Sequence, residues 1–300
     1  MHHADNSPDQ VTNSTDMPRL LSNPAAIVSS AIRNVLRRPV RAIARSIGFD
    51  VVPYKPQPDS AMACFELLLK LRNAMDEVRD KSDRQFLLDC AKHIGDSKSQ
   101  LLQDLFALHF LNHKRSGFFV EFGSTNGVNL SNTHILEMQF GWNGILAEPA
   151  RCWAAALQTN RRCAIDLRCV WIKTGEKLRF LEASDAELST IDPFADRDAH
   201  STTRMTNEKY EVETISLTDL LQAHNAPYQI DYLSIDTEGS EYPILSHFDF
   251  EAFDISVITV EHNYVEKDRN QIQQLLTAKG YRRVFEKFSQ WDDWYVKEAR

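Results

Sequence analysis

Residues 117–149 read "GFFVEFGSTNGVNLSNTHILEMQFGWNGILAEP". The apolar run Phe118–Val120 has the look of a buried strand, and Glu121 closes it. A turn with two glycines, Gly123 and Gly127, follows. "LSNTHILEMQF" has helical spacing, and "WNGILAEP" is a second apolar run ending in Glu148-Pro149. The unit is therefore strand, turn, helix, strand.

The same rhythm continues along the chain. "CAIDLRCVWI" (163–172), "IDYLSID" (230–236) and "ISVITVEHN" (255–263) read as further buried strands. "ARCWAAALQTN" and "NQIQQLLTAKG" (270–280) are helical, the latter closed by its glycine. "KLRFLEA" (177–183) and "YEVETISL" (210–217) alternate as exposed strands do, and "YRRVFEKF" with "WDDWYVKE" forms a terminal antiparallel hairpin. Strands alternating with helices predict an α/β fold built on a doubly wound, mostly parallel sheet. Such sheets bind ligands at the carboxyl ends of their strands. The polar clusters of this sequence fall there.

Composition places the chain among globular proteins: 300 residues, 43% hydrophobic and 25% charged. No apolar run reaches the roughly 18 residues that cross a bilayer. The amino-terminal stretch is polar and lacks a signal-peptide core. Five cysteines, without CxxC or zinc spacing, read as reduced thiols in a cytoplasmic protein. A net charge of −8 argues against nucleic acid as a partner.

Residues 1–18 read as a disordered tail. Residues 19–58 form a basic amphipathic segment and a linker. Its part 19–49 holds six arginines and no acid, and residues 51–60 hold three prolines. A helix packed on its own domain accounts for the 19–49 pattern, and so does peripheral contact with an anionic membrane at the inner face. Residues 59–115 carry three helical patterns, near 60–75, 83–94 and 97–113. Residues 116–300 make the ligand-binding domain. The polar stretch 189–210, with Asp196, Asp198 and His200, is a long loop and a candidate lid.

Three strand ends carry the chemistry. The first gives Glu121, Gly123, Ser124, Thr125, Asn126 and Gly127; the second gives Glu148 and Pro149; another gives Asp236, Glu238 and Glu241. The dinucleotide pattern GxGxxG is absent, as is the phosphate loop GxxxxGK[ST]. An acid beside the turn repels a pyrophosphate and suits a cationic ligand. Glu148, 27 residues after Glu121, suits two ribose hydroxyls. Together they favour S-adenosylmethionine over NAD or ATP.

"FFVEFGSTNGVNLSNT...GWNGILAEP", "IDYLSIDTEGSEYPIL" and "ITVEHN" resemble the FkbM family of S-adenosylmethionine-dependent methyltransferases over roughly residues 98–290. The resemblance implies a class I methyltransferase fold with a seven-stranded sheet and one antiparallel strand. It implies O-methylation of a sugar, glycan, lipid-linked or secondary-metabolite acceptor. By the same resemblance Glu121, Gly123 and Gly127 hold the methionine part, Glu148 holds the ribose, and residues 168–171 flank the adenine. Ser131, Asn132 and Thr133 open the first helix and line the pocket; Asp236 sits where cofactor and acceptor meet. Gln100, Gln103 and Asp104 are further candidates.

Methyl transfer to a hydroxyl needs positioning and a path for a proton. His262 is a candidate base. Asp236, Glu238 and Glu261 are further candidates for the catalytic base or, in the alternative, ligands for Mg²⁺. The expectation is metal-free chemistry. A binding module without catalysis and a membrane-associated scaffold are the competing classes.

Overall fold

The computed structural model describes residues 60–182, 189–191 and 208–298. The expected tail (1–18), the basic segment and linker (19–58), and Asp196, Asp198 and His200 lie outside the described residues. The chain divides into two units, Met1–Leu71 and Arg72–Arg300. Of the first, the described part is the beginning of helix α1 (Ser60–Met75), which exposes Phe65, Leu67 and Leu68.

The second unit begins with α2 (Lys81–His93) and α3 (Gln103–Phe110). The predicted helix near 97–113 is shortened at its start. Leu102 adopts a left-handed φ of 63°, which ends the helix. Ahead of it, Ser99 Oγ accepts from the Asp104 amide and Ser97 Oγ donates to the Asp104 carboxylate, so side chains take over the orphan groups of the first turn.

The sheet then starts with β1 (Phe118–Phe122), α4 (His134–Phe140), β2 (Asn143–Ala147), α5 (Ala154–Asn160) and β3 (Ala164–Asp166). The helix expected over 130–140 begins only at His134. The run 163–172 is not one strand. Asp166 accepts from the Arg168 amide and pairs with its guanidinium, and this turn splits the run into β3 and β4 (Cys169–Trp171). β4 leaves the main sheet. It joins β5 (Lys177–Glu182), β6 (Thr190–Ile191) and β7 (Glu208–Ser216) in a four-stranded sheet of order β4-β7-β5-β6.

The chain returns through α6 (Leu217–Ala223), β8 (Gln229–Ile235), α7 (Glu241–Ser246), β9 (Asp254–Glu261), α8 (Glu266–Ala278), β10 (Tyr281–Val284), α9 (Glu286–Ser289) and β11 (Asp292–Lys297). The main sheet has seven strands in the order β10-β11-β9-β8-β1-β2-β3. β1, β2, β3, β8 and β9 are parallel, and β11 is antiparallel to both β9 and β10. The fold is thus a doubly wound, Rossmann-like, mostly parallel seven-stranded sheet with one reversed strand, as expected.

Both faces of β1 are covered, which explains its unbroken apolar run. Val120 and Phe122 join one buried cluster with Ile145, Leu233 and Ile258. Phe119 joins a second with Phe106, Leu136 and Trp294. Phe86 and Cys90 of α2 belong to that second cluster, so α2 and α3 share the core of the sheet. Order reverses between β1 and β8. The chain winds outward through β2 and β3, then back to β8 and β9 on the other side. The crevice at this reversal is where the site forms.

All five cysteines are unbridged. Among the described residues no helix is long and apolar enough to cross a membrane.

Candidate active site

A cavity of about 430 Å³ opens at the carboxyl ends of β1, β2, β8 and β9. Of the residues singled out in the sequence, Glu121, Gly123, Thr125, Asn132, Glu148, Pro149, Asp236, Glu238 and Glu261 line it. Gln100 and Gln103 line it too, brought in by an isolated bridge between Ser99 and Leu130. Ser124, Asn126, Gly127, Ser131, Asp104 and His262 do not.

Glu121 is buried, and its carboxylate is engaged by the chain itself. It accepts from Ser131 Oγ at 3.0 Å, from the Asn132 amide at 2.7 Å, and from Thr133 Oγ1. The counter-charge is Arg161, a residue that sequence reasoning missed. Arg161 is 4% exposed and lies 3.9 Å from Glu121. Its guanidinium donates to Gly127 O, Ser131 Oγ, Thr133 Oγ1 and Glu137. The pair therefore clamps residues 127–133 into one shape. A charge buried this deeply survives because it is paired and hydrogen-bonded.

The two glycines are required by packing. A Cβ on Gly123 would stand 1.9 Å from the Asp236 carbonyl oxygen, so β1 and β8 approach there as only glycine permits. A Cβ on Gly127 would stand 2.7 Å from side-chain atoms of Arg161 and Leu157, and its φ is +77°. The resemblance gave Gly127 to the methionine part of the ligand. In the structure the side chains of Arg161 and Leu157 pack against this glycine.

Glu148 is buried against the cavity. One carboxylate oxygen accepts from the Thr125 amide at 3.0 Å and the other from the Ala150 amide at 2.9 Å. Two backbone donors thus fix the orientation of the side chain, and each oxygen keeps an acceptor site. Burial, with smaller contributions from the charges of Asp236 and Glu182, pushes its carboxyl up to about 7.

Asp236 follows β8, and Glu261 ends β9 in the adjacent register. The two carboxyl groups share a hydrogen bond, and burial raises both above the usual carboxylate range. Glu238 adopts a left-handed φ of 58°. Asn263 Nδ2 donates to Glu261 at 2.9 Å and to Glu238 at 3.3 Å. One oxygen each of Asp236, Glu238 and Glu261 lies within 4.8 Å of the others. Behind them, Asp292 pairs with Glu261 across the strands and accepts from Gln103 Nε2 at 3.0 Å. Glu241, by contrast, accepts from the Thr237 and Gly239 amides and shapes the loop.

His262 is buried and turned away from the cavity. Its Nδ1 accepts from the Tyr264 amide at 3.1 Å, and its Nε2 faces Asp293 at 3.7 Å. Burial lowers its pKa. The geometry does not put this imidazole beside an acceptor.

Five carboxylates line the cavity, and among the described residues no lysine, arginine or histidine does. Phe122, Val170, Phe180 and Ile191 supply an apolar wall, and Tyr264, 62% exposed, stands at the mouth.

The family model for the methyltransferase FkbM domain matches residues 118–283. Among solved structures, methyltransferase FkbM from Methylobacillus flagellatus KT is 14% identical, with a TM-score of 0.40 over 72% of this chain and 62% of that one. The chain thus spans somewhat under two thirds of that protein's length. A precorrin-6y C5,15-methyltransferase from Geobacter metallireducens GS-15 is 9% identical, with a TM-score of 0.34 over 64% and 85% of the two chains. A putative RNA methyltransferase from Pyrococcus horikoshii is 10% identical, with a TM-score of 0.33 over 74% and 100%. No curated protein matches.

Proposed function

The chain belongs to the FkbM methyltransferase family, and from that premise we propose that it transfers a methyl group from S-adenosylmethionine to a hydroxyl of a sugar, glycan, lipid-linked or secondary-metabolite acceptor. The observation that carries the cofactor assignment is the donor set of the cavity. Its charged lining is wholly acidic among the described residues. A pyrophosphate would meet five carboxylates and no cation. A ligand with an ammonium and a sulfonium, and no phosphate, meets the complementary field.

Glu148 is held by Thr125 and Ala150 so that its two oxygens accept the ribose hydroxyls. The segment 123–133, clamped by Glu121 and Arg161, forms the wall beside the methionine part. Val170, Phe180 and Ile191 give an apolar wall for the adenine. Bound there, the cofactor supplies a methyl group on a cationic sulfur, an electrophile whose leaving group needs no protonation. The protein's task is positioning, and removal of one proton from the hydroxyl.

Asp236, Glu238 and Glu261 line the same cavity, and one of these carboxylates receives that proton. His262 is left with a structural part in the β9 loop. Gln100 and Asn263 offer amides to neighbouring hydroxyls, and Tyr264 with Trp291 offers an aromatic face to a sugar ring. Residues 19–49 are assigned to an anionic membrane surface, on six arginines without an acid. Calorimetry with Glu148→Ala tests the cofactor assignment: removing the ribose acceptor should cost on the order of 1–3 kcal/mol of binding. Unchanged affinity would refute it.

A further inference from the structure

We propose that Tyr210 is a positioning residue for S-adenosylmethionine: from the four-stranded sheet it holds the loop 148–151, and through that loop it keeps Glu148 aimed into the cavity. The proposal deepens the cofactor reading and rests on the assignment of Glu148 to the ribose.

The loop joins β2 to α5 and is held from two sides. On one side the Thr125 amide, in the glycine turn, donates to one oxygen of Glu148 at 3.0 Å. On the other, the Ala150 amide donates to the second oxygen at 2.9 Å. The next amide along the chain is that of Arg151. It donates at 2.9 Å to the phenol oxygen of Tyr210, 59 residues away on β7. A backbone N–H outside regular structure takes its partner from a side chain or from water. Here the partner comes from a different sheet, one residue from the amide that orients Glu148.

The tyrosine is itself fixed. Its hydroxyl donates to Glu182 Oε2 at 2.6 Å, so the phenol proton is committed to β5 and a lone pair is left for the Arg151 amide. The Arg151 guanidinium lies over the same ring, 4.0 Å from its centroid. Apolar packing agrees with this. Ala150 is buried in a cluster with Cys169, Phe180, Ile191 and Val212 of the small sheet, and Tyr210 and Trp153 pack against it. The same sheet supplies Val170, Phe180 and Ile191 to the cavity wall. One sheet thus carries the wall given to the adenine and the residue that holds the ribose acid in place beside it. Hydrogen bonds weaken steeply as they lose alignment, so a loop released from Tyr210 would present Glu148 less well to two hydroxyls at once.

The test is calorimetry of the full-length protein with S-adenosylmethionine at pH 8, arranged as a double-mutant cycle. Tyr210→Phe keeps the ring under the guanidinium and removes only the hydroxyl. It should weaken binding by about two- to tenfold, the worth of one hydrogen bond. With Glu148→Ala already in place it should weaken binding no further, because the tyrosine acts through that carboxylate. Glu182→Ala should reproduce the loss and supplies a second variant should Tyr210→Phe fail to fold by circular dichroism. Glu182→Gln, which can still accept the phenol proton, should bind as the wild type does. Equal affinity of wild type and Tyr210→Phe would overturn the proposal. So would an equal loss in both backgrounds, the sign of a tyrosine that supports the fold without acting on Glu148. In either case the weakening by Glu148→Ala would leave the ribose assignment intact. No binding by wild type, or no weakening by Glu148→Ala, would sink the ribose assignment and the tether together.

Discussion

Replacing Glu148 by glutamine separates the cost of this side chain from its use. Its folded carboxyl is pushed up to about 7 from an ordinary 4.5, chiefly by burial. Between those values the unfolded chain is ionised while the folded one holds its proton. The folded state binds more protons, so stability falls as pH rises through this window and levels off above the folded value. At about 1.4 kcal/mol per unit, the full difference is about 3 kcal/mol. Most of it falls between pH 5 and pH 8. Glutamine cannot ionise, so the variant lacks this slope. Its amide would also face a backbone donor, Thr125 or Ala150, but that cost does not vary with pH. Urea unfolding of both proteins at pH 5, 6, 7 and 8 isolates the slope. Glu148→Gln should gain about 2–3 kcal/mol relative to wild type from pH 5 to pH 8. Its affinity for S-adenosylmethionine at pH 8 should fall over the same range, because the ribose loses a charged acceptor. Parallel pH profiles for the two proteins would refute the assignment of a buried, ionisable Glu148.

Five further outcomes are expected. Arg161→Met leaves Glu121 as a buried charge without its partner, and should cost about 3–5 kcal/mol in urea unfolding. Gly127→Val forces a branched residue into φ +77° against Leu157 and Arg161, and should lower stability by about 1–3 kcal/mol; a normal melting temperature would contradict that packing. In methyl-transfer assays Asp236→Asn should lose about 10²–10⁴-fold, the range of a lost proton-transfer group, while His262→Ala should keep activity near wild type. Deleting residues 1–58 should abolish salt-sensitive flotation with anionic vesicles; equal flotation would remove the basic segment from consideration.

The sheet was legible because a strand covered on both faces is largely apolar, as Phe118–Val120 and Ile145–Ala147 are. Glu148 was legible from its order and spacing, 27 residues after Glu121 at the next strand end. Other features depend on contacts that periodicity does not encode. β3 and β4 part because one carboxylate, that of Asp166, folds back on Arg168. Arg161 sits just past a helix with no motif around it, yet it holds three groups of the loop that the opening motif supplies and Glu137 of the helix after it. The glycine turn announced a tight backbone, but not whether a ligand or the neighbouring strand came close. At Gly123 it is the strand, through the Asp236 carbonyl. His262 carried a base's chemistry in its residue type. Its direction was set by the β9 loop, where the Tyr264 amide donates to its Nδ1 and its Nε2 faces Asp293 at 3.7 Å.

The central claim is that the acid-lined cavity holds S-adenosylmethionine. Isothermal calorimetry of the full-length protein with S-adenosylmethionine and with NAD tests it most directly. The account predicts saturable heat at one S-adenosylmethionine per chain, weakened in Glu148→Ala, and none with NAD. Saturable binding of NAD, or none of S-adenosylmethionine by folded protein, would contradict it.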